Sequence, residues 1–187
     1  AEMKITLLKG PTEEDWMGVK QRALVTVGKE PIKPPDSEWK HKILEARHSP
    51  IRRLFFSFYI ECPYWVSVHL CRHIHAQPFV KSQRNDRQGE YDREKAPQDQ
   101  PVCMIWDMSA EELMAIANKR LCNMASKETR EAWLKVKEEI AKVEPELASC
   151  MVKECIYRGF CPEMFSCEYH KTEAFQKELK EYMRGIN

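Results

Sequence analysis

Arg72-His73-Ile74-His75-Ala76-Gln77-Pro78-Phe79-Val80-Lys81-Ser82-Gln83-Arg84 is the stretch on which the reading of this chain turns. It gathers two arginines, a lysine, two histidines and a serine within thirteen residues. Cations so close together repel one another, and a fold that keeps them there usually does so to hold an anion, most often a phosphate. The stretch follows Leu54-Phe55-Phe56-Ser57-Phe58-Tyr59-Ile60, an aromatic-rich run with the length of a buried strand. Pro63 then marks a helix start. The spacing predicts a helix over about Tyr64 to His75, with His69, Arg72, His73 and Ala76 on one face and Trp65 and Val68 on the other. A strand feeding a helix with one polar face is a good base for a ligand site.

Outward from that unit, strands and helices are interspersed. Met3 to Leu8 alternates as an edge strand does. Thr12 caps a helix with acids in its first turn, carrying Trp16, Val19 and Leu24. Pro31, Pro34 and Pro35 make a loop, and Asp36 or Ser37 caps a helix that Ser49-Pro50 stops. Residues 85 to 101 read as a polar loop, and Val102 to Trp106 as a short strand. Ser109 with Glu112 forms a capping box before an apolar stripe of Leu113, Ile116, Ala117, Leu121 and Met124. Ser126 and Thr129 open a helix through Trp133, Val136 and Ile140. Cys150 to Cys167 is irregular, and Glu173 to Met183 is a polar helix. The expected fold is α/β, a β-sheet flanked by helices, in a single domain over residues 1–187.

Bulk properties exclude several classes. The 187 residues are 32% charged and 43% hydrophobic, as in an ordinary globular protein, and the net charge of +1 argues against a nucleic-acid polymer as partner. No apolar run approaches the ~20 residues that span a bilayer, and Ala1-Glu2-Met3-Lys4 shows no secretory pattern, so no membrane partner and a cytoplasmic location are expected. The eight cysteines are then expected to be reduced. Cys150, Cys155, Cys161 and Cys167, with His170, are spaced more loosely than paired C-x-x-C motifs, so a metal-free segment is expected. His69 and His73 stand four apart but lack the acid of an H-E-x-x-H motif, so no catalytic metal is expected there. Lys81, Ser82, Arg84 and Arg87 read either as a solvated basic loop or as a phosphate site, where a hydroxyl interleaves with cations and Phe79-Val80 anchors the loop.

The opening stretch also resembles the motif of the flavin-dependent thymidylate synthases: Arg-His-Arg, seven residues, Ser, then Arg two further on. Arg72, His73, Ser82 and Arg84 fall in register, and Ile74 takes the place of the second arginine. His48-Ser49-Pro50 is similar to the turn before a strand in that family. Arg120-Leu121-Cys122-Asn123, Ala125 and Glu128 to Glu131 resemble a second family stretch, and Gly159-Phe160-Cys161-Pro162-Glu163 a third. The similar segments are 47–84, 109–133 and 155–167, in the family's order.

The resemblance implies a homotetramer with sites at subunit interfaces. It implies methylation of deoxyuridylate, or a related pyrimidine nucleotide, at C5, with methylenetetrahydrofolate and NADPH as co-substrates and FAD as cofactor. His69, Arg72, Ser82, Gln83, Arg84 and Arg120 would bind the nucleotide, and Ser49, Arg72, His73 and Ile74 the flavin. Arg120 would be catalytic: its permanent charge against the uracil ring favours ionisation at N3 and so makes C5 a better carbon nucleophile. Departures from the pattern at Ile74, Val80, Glu111 and Ala115 fall on the flavin half, so weaker flavin binding is expected. Two alternatives accompany this reading: a divergent relative that hydroxymethylates C5 of another pyrimidine nucleotide, or a non-catalytic nucleotide-binding protein.

Overall fold

A computed structural model describes residues 2–87, 89 and 91–184. Its centre is a four-stranded antiparallel sheet of β1 (Lys4–Lys9), β2 (Phe55–Pro63), β3 (Gln77–Val80) and β4 (Pro101–Ser109), in the order β1-β2-β4-β3. The helices are α1 (Glu13–Val25), α2 (Ser37–Glu45), α3 (Tyr64–Leu70), α4 (Ala110–Arg120), α5 (Lys127–Ala141), α6 (Pro145–Cys150), α7 (Glu154–Arg158) and α8 (Glu173–Met183), with short 3-10 turns at Ser49–Arg53 and Tyr169–Lys171.

Alternation along the two long strands decides where the core lies. Phe56, Phe58 and Ile60 of β2 and Val102, Met104, Trp106 and Met108 of β4 are all buried. Their neighbours Phe55 and Ile105 are exposed. Strand side chains point to opposite faces in turn, so one face is packed and the other open. α5 packs on β1, α3 on β2 and β4, and α4 on β4. Trp133 of α5 meets Trp106 edge-to-face, with ring centroids 5.5 Å apart.

Local signals place the helix starts. Thr12 and Asp15 form a reciprocal capping box, Asp36 accepts from the Trp39 N–H, Ser109 from Glu112 and Ser126 from Thr129. Each satisfies a backbone donor that a helix start leaves unpaired. β1 is the edge strand expected, and its register shifts between Leu7 and Lys9. β4 is longer than expected because its pairing with β2 continues to Ser109. No described helix is long and apolar enough to cross a membrane.

The largest departure follows α3. The expected helix to His75 stops at Leu70, where the Cys71 N–H bonds the Ser67 carbonyl. Two turns follow, closed by His73 N–H to Leu70 O and Ala76 N–H to His73 O. Gln77 to Val80, for which no strand was expected, is the edge strand β3, with Phe79 opposite Ile105 on the open face. The helix-face grouping of His69, Arg72, His73 and Ala76 is therefore corrected. Val68 is exposed rather than packed, and Val66 and Leu70 enter the core instead.

Candidate functional site

Arg120 is the last residue of α4, and it reaches across the fold to the turns after α3. Its Nε donates to His73 Nε2 at 2.8 Å, and its Nη2 donates to the His69 carbonyl at 2.9 Å. These bonds use two of the five N–H groups of a guanidinium. An always-charged arginine can only donate, so His73 accepts as a neutral ring with its proton on Nδ1. Burial and then the Arg120 charge push the His73 pKa down to about 4. The His73 ring lies against Trp106, with centroids 6.5 Å apart. The His69 ring packs edge-on against Trp65, leaving its backbone carbonyl to do the anchoring.

The electrostatics of this group are unbalanced. The two Arg120 partners just described are uncharged, and burial followed by the nearby Arg72 cation lowers the Arg120 pKa. A half-buried cation held by neutral groups and pressed by a second cation is a site that favours an anion. The structure thus brings together His69, Arg72, His73 and Arg120.

Ser82, Gln83 and Arg84 gather separately. The Lys81 N–H extends the β3–β4 ladder by bonding Cys103 O, and the chain then leaves the sheet. Lys81, Ser82 and Gln83 line a cavity of ≈ 180 Å³ with Tyr91, Gln100 and Val102. Gln83 Nε2 is buried there without a hydrogen-bond partner among the described residues, a donor suited to a ligand oxygen. Ser82 Oγ accepts from the Arg84 N–H at 3.2 Å. The Arg84 guanidinium forks onto Asp86 at 2.9 and 2.6 Å. Both of those side chains are more than half exposed, so the pair holds Arg84 only weakly.

The residues expected at a flavin differ in exposure. Ser49 and Arg72 are exposed, and Ile74 is 80% exposed with no polar side-chain atom to offer. Glu111 instead ties up Arg52 through a 2.7 Å ion pair. Both line an open cleft of ≈ 520 Å³ with Phe55, His75, Asp107 and Glu112. Asp107 Oδ1 is buried there and unpaired among the described residues, and Glu112 is raised by burial. Three carboxylates against one engaged arginine suit a dinucleotide pyrophosphate poorly, so this cleft does not fit the pyrophosphate of FAD.

Sequence reading missed Trp106, which backs the His73 ring, and the carboxylates of this cleft. Asp107 lies just beyond the strand expected at Val102 to Trp106, and its closeness to His75 and Glu112 depends on how β3 pairs with β4.

The His73 shift carries a pH dependence. A folded value near 4 against an ordinary 6.5 means that the unfolded chain takes up the proton first. The stability is present above about pH 6.5 and is lost as pH falls toward 4. His73→Gln keeps an acceptor for Arg120 without titrating. Its unfolding midpoint in urea, compared with the parent, is expected to fall less between pH 7 and pH 4.5. Parallel losses would remove His73 from this balance.

No protein-family model matches the chain, and no curated protein matches it. Among solved structures, the fold is similar to that of a UMP/dUMP methylase, PolB from Streptomyces cacaoi, bound with 5-Br dUMP. The TM-score is 0.66 over 86% of this chain and 96% of that one, at 14% identity, so what the two proteins share is the fold.

Proposed function

We propose that this protein binds a pyrimidine nucleotide, dUMP or UMP, and activates its C5 for one-carbon transfer, as a methylase of the thymidylate synthase kind does. The observation that carries this reading is the Arg120 guanidinium, oriented by the His73 ring and the His69 carbonyl and paired with no carboxylate among the described residues. A uracil ring beside it would present carbonyl oxygens to its remaining N–H groups. The fixed positive charge favours loss of the N3 proton, and the resulting anion raises electron density at C5. A methylene donor such as methylenetetrahydrofolate would then be attacked by C5. Arg72 and the Lys81–Arg84 loop supply cations and hydrogen-bond donors for the phosphate. The resemblance to the flavin-dependent thymidylate synthases and the likeness of fold to PolB both support the substrate class. The exposed edge at β3 leaves room for other copies to complete the site, in keeping with the homotetramer that the resemblance implies.

A second reading is favoured by the poor flavin fit at Ile74 and Glu111. Transfer of a methylene unit to C5 followed by water addition gives a hydroxymethyl pyrimidine and needs no hydride. Mass analysis of the nucleotide product separates the two readings by the added group.

The test is exchange of the C5 hydrogen in heavy water, with calorimetry for dUMP and UMP. Micromolar binding of either, with exchange above background, is expected. Absence of both binding and exchange overturns the reading.

Arg84→Ala is expected to weaken dUMP binding by about 1.5–3 kcal/mol, the loss of a charge-assisted hydrogen bond. That is roughly tenfold to a hundredfold in Kd. Asp86→Asn, which releases Arg84 from its exposed partner, is expected to tighten binding. Unchanged affinity for both variants would take Arg84 out of the site.

A further inference from the structure

Four cysteines that the nucleotide site does not use surround one small cavity. Cys122 lies in the turn after α4, Cys155 in the first turn of α7, and Cys161 and Cys167 in the segment between α7 and the last 3-10 turn. Sequence spacing grouped Cys150 with the last three. The fold replaces Cys150 with Cys122, which lies 33 residues before Cys155 in the chain. Cys150 stands apart, buried beside Ser149 and Glu45, with burial pushing its thiol up to about 12.

The segment that carries these thiols has no apolar core of its own. Residues 157–168 contain no buried side chain, and Phe160, Met164 and Phe165 point into solvent at 56%, 89% and 77% exposure. The chain nonetheless reverses sharply, with Gly159 at φ 80 and Glu168 at φ 66. A non-glycine residue in the left-handed region is held there by something that over-determines the backbone. Small, coreless segments are commonly fixed by disulfides or metals, and all eight cysteines here are free thiols.

We propose that Cys122, Cys155, Cys161 and Cys167 hold a [4Fe–4S] cluster as four thiolate ligands. The spacing of the thiols points to a cluster over a single zinc ion. Four sulfurs around zinc sit about 2.3 Å from the metal, hence about 3.8 Å from one another, and leave no space for water. Here the four thiols line a cavity of ≈ 20 Å³. Among the described residues, His41, Glu45 and Cys150 are the trio of potential metal donors whose atoms all lie within 4.8 Å of one another. No three of the four thiols come that close. A cluster places iron and sulfide between its cysteines and so asks for this wider arrangement. The His41–Glu45–Cys150 trio is a weaker candidate, since His41 and Glu45 already pair at 2.6 Å.

The full chain, produced with added iron and purified without oxygen, is expected to be brown and to carry about four iron and about four sulfide per chain. Its visible absorption is expected to bleach on reduction with dithionite. Cys167→Ser changes an exposed residue and leaves the core intact, so loss of iron with an unchanged far-ultraviolet dichroism spectrum assigns the ligand. Cys122→Ser is expected to behave alike, and Cys103→Ser to keep the cluster. One zinc per chain without sulfide overturns the cluster. Protein free of both metals after anaerobic reconstitution with iron and sulfide overturns the site. Iron and sulfide retained by both Cys122→Ser and Cys167→Ser overturn the ligand assignment. None of these readouts depends on nucleotide binding.

Discussion

Arg120→Lys is expected to bind dUMP within about tenfold of the parent, yet to exchange the C5 hydrogen about 10²–10³ times more slowly. The variant keeps a positive charge at the end of α4, so long-range attraction for an anionic nucleotide survives. What it loses is geometry. The guanidinium spends its Nε on His73 and one Nη2 hydrogen on the His69 carbonyl, and its plane is fixed by those two bonds. A lysine ammonium is a single point with rotatable donors and cannot hold both anchors while facing a ring edge. Charge that is present but misdirected stabilises the developing uracil anion poorly, because such stabilisation depends on donors fixed in place beforehand. The split between binding and exchange is the informative result. Arg120→Ala is expected to lose more of both. Equal exchange rates for Arg120→Ala and the parent would make Arg120 a structural tie between α4 and the turns after α3.

The parts of this site differ in how far sequence could disclose them. Caps at Thr12, Asp36, Ser109 and Ser126 were legible because each is a local event, one side-chain oxygen meeting a backbone N–H three residues on. The aromatic run of β2 was legible as a strand, but not its alternation, which leaves Phe55 exposed. Nor was the end of α3 legible. His73 leaves the helical path where its ring accepts from Arg120, 47 residues away in sequence. β3 likewise owes its extended form to pairing with β4, across a polar loop that carries no strand signal. The motif resemblance pointed to Arg72, His73 and Arg120 together, and the fold does bring them together. It could not show that Arg84 faces Asp86, nor that Glu111 holds Arg52, since neither contact follows from spacing. The cysteine cavity shows the same limit: Cys122 belongs to a different motif and joins the tail only through the packing of α4 against α7.

Trp106→Ala is expected to destabilise the fold by about 3–5 kcal/mol, the usual loss for a buried tryptophan cut to alanine. Trp106 sits at the middle of β4, fully buried, opposite Phe58 on one side and Pro78 on the other. Its ring lies between the core and the site, meeting Trp133 edge-to-face and His73 at a tilt. Removing it opens a cavity beneath His73, and water admitted there relieves the burial that keeps that ring neutral. The His73 pKa should then rise from about 4 toward its ordinary 6.5. A protonated His73 can no longer accept from Arg120, so at mildly acidic pH the guanidinium loses its orienting partner. Trp106→Phe separates the two consequences. It keeps an aromatic ring in the core and removes an indole N–H that has no hydrogen-bond partner among the described residues. Its stability cost should therefore be well below that of Trp106→Ala, and the His73 ring should titrate close to its parent value. Urea unfolding gives the first quantity, and the histidine C–H proton resonances followed against pH give the second. If His73 titrates identically in all three proteins, Trp106 supports the core alone and does not shield the ring that orients Arg120.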